Sequence, residues 1–153
     1  MVFTSRALLA LLAAAACAAA TAQETRMRHL AKGMTTEATT GDAFMVVRTE
    51  DDLTRALNHR MSLEPGQAIA SGRPDIDFDT EMAVGVLLSN RPTSCTGVDI
   101  TSVGKDGIVS VVHYRERKRK PRESCAVAVT SPFDFVAIPK SSAPVRFQAD
   151  DQP

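Results

Sequence analysis

Cys95 and Cys125 are the residues of this chain whose type and spacing point most directly to a bond. They stand 30 residues apart, with no Cys-x-x-Cys pair and no histidine beside either one. A redox pair or a zinc site needs such neighbours. A structural disulfide is the chemistry that remains, worth about 3–4 kcal/mol in the chain-entropy account of a loop this long. Other reactive types are scattered. His29, His59 and His113 fall on three separate segments without ligand spacing, so no metal set is expected. Gly-x-Ser-x-Gly, His-Glu-x-x-His and phosphate-binding glycine loops are all missing. Catalysis is left with His113 near Ser110 or Tyr114, the raw material of an unrecognised hydrolase.

Two charged stretches invite ligands. Asp75-Ile76-Asp77-Phe78-Asp79-Thr80-Glu81 alternates acids, as a calcium loop does. Such a loop requires Gly at its sixth position and Glu at its twelfth, where this chain has Thr80 and Val86. The plainer reading, Ile76 and Phe78 turned inward and carboxylates in water, is preferred. Arg115, Arg117, Lys118, Arg119, Lys120 and Arg122 form the one strongly basic run. It would suit lipopolysaccharide phosphates, anionic lipid or an acidic partner. The plainer alternative is a solvated hairpin tip whose charges deter edge pairing, with Glu116 and Glu123 interrupting the run and Pro121 favouring a turn.

The chain opens with Arg6, an apolar run over 7–20 and Ala20-Thr21-Ala22 before Gln23. These are the basic, apolar and small-x-small parts of an export signal, placing the protein outside the cytoplasm, periplasmic or secreted, where Cys95 and Cys125 can oxidise. A second reading lipidates Cys17, but the position three before it is Ala14 rather than the usual Leu. Removing 22 of the 153 residues leaves 131, one domain's worth. Loss of Arg6 takes the 18 basic side chains to 17 against 18 acidic, a balance with no pull toward nucleic acid. No later stretch is apolar and long enough to cross a bilayer.

Residues 23–42 are polar and threonine-rich and read as a flexible spacer; 43–148 form the domain, and 149–153 a frayed acidic tail. Within the domain, 44–48 reads as a strand. Thr49 caps a helix with Asp52 three residues on, and Leu53, Ala56, Leu57 and Met61 make its apolar face. Residues 63–74 hold two glycines and two prolines and read as loop. The unbroken apolar run 82–88 is expected of a strand covered on both faces. Further strands are expected at 98–101, 108–115, 125–130, 133–138 and 145–147. The fold class is therefore α+β, an antiparallel meander of about six strands with one N-terminal helix packed on it. In such a meander the strands next to Cys95 and Cys125 run parallel, bringing both cysteines to one end of the sheet.

Several pieces together resemble the C-terminal domain of PrcB-like protease-complex subunits. They are Asp77-Phe78 with Glu81-Met82 and the apolar strand, Arg91-Pro92-Thr93 opening the next strand, and Val112-His113-Tyr114-Arg115. Val129-Thr130-Ser131-Pro132-Phe133 and Val136-Ala137-Ile138-Pro139-Lys140 follow in the family's order, and the strand and helix over 46–57 also fit. Ser94-Cys95 replaces a common glycine pair, as in a disulfide-bearing branch. The resemblance implies an exported, non-catalytic accessory domain without a cofactor, partnering an extracytoplasmic protease or other envelope protein. Arg91, Pro92 and Thr93 would then be partner-binding residues.

Overall fold

A computed structural model of the protein describes residues 24–35, 39–60 and 75–150. The export segment 1–22 with Cys17, the loop 63–74, Met61, the side chains of 57–60 and the last three residues lie outside them.

Helix and strands form where local chemistry favours them. β1 (Arg28–Thr35) and β2 (Ala43–Val47) precede α1 (Glu50–Arg60), the one helix among the described residues. The Thr49 hydroxyl accepts the Asp52 N–H at 3.1 Å and the Asp52 carboxylate accepts the Arg48 N–H at 3.2 Å, a reciprocal cap. That capping lowers the Asp52 carboxyl below its usual range, Thr49 contributing most. Next come β3 (Glu81–Leu87), β4 (Gly97–Asp106), β5 (Val109–Arg117), β6 (Ser131–Pro139) and β7 (Val145–Ala149). Gly107, with φ 60°, opens the two-residue loop between β4 and β5, where a side chain would be strained.

The strands make two sheets, not the single meander expected. One has the order β1-β6-β3-β2 and is antiparallel throughout; the other is β4-β5-β7, with β7 parallel to β5. Alternation sends Met82, Val84, Val86 and Leu88 of the β3 region into the core between the sheets, with Val136, Ile138, Val98, Ile100, Val103 and Val112. The opposite parity faces outward, where α1 covers it. Leu53 packs on Val47 and Ala83, joined by Ala56, Ile76 and Phe78. β3 is thus buried on both faces, as its apolar run requires.

Two strand expectations are corrected. Residues 28–35, read as spacer, form β1 along the edge of β6. Little apolar alternation marks them, because Arg28, His29 and Lys32 are spent on polar contacts to Glu81, Asp134 and Asp99. Residues 125–130 have a strand's composition, yet among the described residues their strand pairing is limited to an isolated bridge of Thr130 to Arg91. The tail also begins later than expected: Ala149 ends β7 and Asp150 donates its N–H to the Tyr114 carbonyl at 2.7 Å.

Gly85 allows the closest approach in the first sheet. A Cβ there would lie 2.3 Å from the ring of buried Phe135. Gly85→Ala is expected to cost about 3 kcal/mol by overpacking, measured as a lower midpoint of chemical unfolding. An unchanged midpoint would mean that the ring is free to move.

Candidate functional site

The chain crosses between the sheets twice at one end, over 88–96 after β3 and over 118–130 after β5. Cys95 and Cys125 join these crossovers, with Cα atoms 5.4 Å apart in a disulfide. Both cysteines do lie at one end, but because of the crossovers rather than a meander. Glu123 sits with them in a spacing that resembles a metal site. With both sulfurs bonded to each other, no thiolate is left to bind a cation. Backbone bonds reinforce the staple. Arg91 and Thr130 exchange N–H and C=O at 2.7 and 2.9 Å, Ser94 N–H donates to the Ala126 carbonyl at 3.1 Å, and Ala126 N–H to Ser94 Oγ at 2.9 Å.

Arg91 spends its side chain inside the chain. Its guanidinium donates to both carboxylate oxygens of Glu116, at 2.8 and 2.9 Å, and to the Ser89 carbonyl at 2.8 Å. Thr93 Oγ1 accepts the Cys95 N–H at 3.2 Å, and the Thr93 carbonyl accepts the Thr130 hydroxyl at 3.2 Å. Of Arg91, Pro92 and Thr93, Pro92 alone is exposed. The polar groups of this turn therefore brace the stapled end.

The basic run is partly neutralised at its root. Lys120, Pro121, Arg122 and Glu123 make a turn closed by Glu123 N–H to the Lys120 carbonyl at 3.2 Å. Arg122 takes φ 68° at the position where such a turn prefers glycine. Glu123 accepts the Lys120 N–H at 2.9 Å and Arg117 at 3.1 Å, and these two, Lys120 first, hold its carboxyl below the usual range. Arg119 donates to the Glu123 carbonyl at 3.1 Å. Among the described residues, Lys118, Lys120 and Arg122 are exposed and make no close ion pair, although the Lys120 charge acts on Glu123. Directly after them, Val127 is 98% exposed and Val129 57%.

His113, Ser110 and Tyr114 do not assemble. Alternation along β5 puts Ser110, Val112 and Tyr114 on the core side and His113 on the outer face. His113 Nδ1 lies 2.8 Å from Asp150 Oδ1, whose other oxygen accepts the Thr101 hydroxyl at 2.6 Å. Thr101 first, then His113, hold the Asp150 carboxyl below its ordinary range, while burial pushes the Tyr114 phenol up. Asp150, just after β7, is thus pinned to β4 by Thr101 and to β5 by His113.

Sequence reasoning missed Asp134. It is 0% exposed, on the core side of β6, and its Oδ2 accepts the Ile100 N–H at 2.8 Å where β4 shifts register. His29 Nδ1 lies 3.3 Å from the other oxygen. Burial outweighs these partners and pushes the carboxyl above its usual range. One Asp inside Phe-Asp-Phe-Val-Ala-Ile was the available signal, and alternation from the two phenylalanines suggests an outward side chain. Both phenylalanines in fact face α1's side, with Ala31 and Leu87.

No family model, curated protein or solved structure matches this chain.

Two outcomes are expected. Cys95→Ser lowers stability by about 3–4 kcal/mol and makes Cys125 react with an alkylating reagent; two reactive thiols in untreated wild type would remove the staple. Asp134 has a raised folded pKa, so its favourable contribution is fully present below the unfolded value of 3.8 and is lost as pH rises through the folded one. The stability of wild type relative to Asp134→Asn therefore falls from acid toward neutral pH in urea unfolding. A flat or rising difference would mean that burial does not dominate there.

Proposed function

We propose that this chain is an exported, non-catalytic binding module, and on the family resemblance a subunit or stabiliser of an extracytoplasmic protease complex. The observation that carries the binding reading is the stapled end, where Val127 and Val129 face solvent a few residues after the exposed cations Lys118, Lys120 and Arg122. A monomeric surface rarely leaves a β-prone apolar run uncovered and unguarded within its own length. The disulfide suits an oxidising compartment, and among the described residues no helix is long and apolar enough to cross a membrane. Arg91, Pro92 and Thr93 set the geometry of this face from beneath, with Pro92 as its rim.

A second reading, an envelope-surface binder using residues 115–122, is favoured by the same exposed Lys118, Lys120 and Arg122. Each cation near an anionic bilayer contributes about 1 kcal/mol and is screened by salt. The two readings differ in what Val127 does. Affinity purification from envelope extract with wild type and Val127→Asp is expected to recover a protein, a protease or its associate, that the variant loses. If wild type and variant recover the same set, or if salt-sensitive binding to anionic vesicles is the only interaction found, the module reading fails.

A further inference from the structure

We propose that residues 125–129 form an open strand edge that takes an extended, acidic segment of another protein as an added β-strand. The inference rests on the binding-module reading and specifies its partner's chemistry. Ala126 and Thr130, two residues of equal parity, carry the backbone bonds that tie this segment to Ser94 and Arg91. Val127 and Val129 have the opposite parity, and their N–H and C=O groups make no backbone bond among the described residues. An extended course through this segment would present successive residues to opposite sides and turn the Val127 and Val129 groups away from 91–94; Ala128, of the tied parity, likewise makes no backbone bond among the described residues. The Val127 and Val129 side chains, 98% and 57% exposed, would be covered by a strand laid alongside.

Both ends are fixed, by the disulfide at Cys125 and the bridge at Thr130. The edge is therefore ordered before it binds, and little conformational freedom is left to lose. Edges that must stay empty usually carry a lysine, a proline or a bulge. Residues 125–130, Cys-Ala-Val-Ala-Val-Thr, carry neither charge nor proline. Charge instead flanks the edge: Lys118, Lys120 and Arg122 lie just before it, and the nearest carboxylate, Glu123, is already engaged by Arg117 and the Lys120 N–H. A positive flank selects an acidic strand and speeds its arrival. Anionic lipid would meet the cations but leave the row of amides unused.

The oxidised full chain is titrated with two labelled eight-residue peptides, one alternating glutamate with valine and one alternating lysine with valine, at low and high salt. Anisotropy is expected to show saturable, salt-weakened binding of the glutamate peptide alone. Val127→Asp/Val129→Asp is expected to reduce that binding about tenfold or more, because like charges then stand opposite across the ladder, with the melting temperature kept as the fold control. The decisive readout is hydrogen exchange at the Val127 and Val129 amides, which slows with peptide bound if a ladder forms. Equal binding of the two peptides, binding unaffected by the double variant, or binding without amide protection overturns the proposal. So does retention on phosphatidylglycerol vesicles with no peptide binding. An envelope partner recovered through Val127 without amide protection would overturn strand addition alone and leave the module reading intact.

Discussion

The covalent link between the two inter-sheet crossovers governs everything at the exposed end of this molecule. Each crossover is irregular backbone, and irregular backbone this rich in polar groups stays in place only where something other than a ladder holds it. Cys95–Cys125 supplies that hold, and the short bonds of Arg91, Ser94, Ala126 and Thr130 can then form at little further entropic cost. Glu116 follows from the same constraint: it is the last residue but one of β5, and the Arg91 guanidinium fork closes on it at 2.8 and 2.9 Å. The turn at Arg122 is tied back by Glu123 from the adjoining side.

Inside the core the sheets are held by a different device. A carboxylate at 0% exposure is an expensive way to join two layers, and burial does raise the Asp134 pKa. Its compensation is the Ile100 amide, at the point where β4 loses register with β5 and His113 comes to face Ser102. A bulged amide has no ladder partner at that point, so a side chain from the opposing sheet takes it. His29 and Lys32 of β1 gather on the same charge and on Asp99, which ties the edge strand to both sheets.

Much of this was legible residue by residue. The run through Val84 and Val86 could only be a strand buried twice over, and Thr49 with Asp52 marked the helix start because a cap is local chemistry. Gly107 and the cysteine pair were equally readable. What escaped was non-local. β1 owes its place to Asp134 and Asp99, 105 and 67 positions away, and nothing in Arg28-His29-Leu30-Ala31 announces them. Residues 125–130 look like a strand because strand composition reports fitness for pairing, not the presence of a partner. The basic run was visible, but that Glu123 would neutralise its root depends on a turn that only the folded chain shows.

The order β1-β6-β3-β2 also sets when the fold can close. β1 is made first, and β6, its one neighbour in the sheet, follows 95 residues of intervening chain. Until Ser131–Pro139 is synthesised, β1 has no ladder to join and β3 lacks one of its two partners. The bulk of the first sheet must therefore assemble after nearly the whole chain exists, a pairing dominated by distant contacts and correspondingly slow. Of the ladders described, the β4–β5 hairpin alone joins elements that follow one another directly in the sequence, so it can pair while the edge strand β1 still waits for its partner.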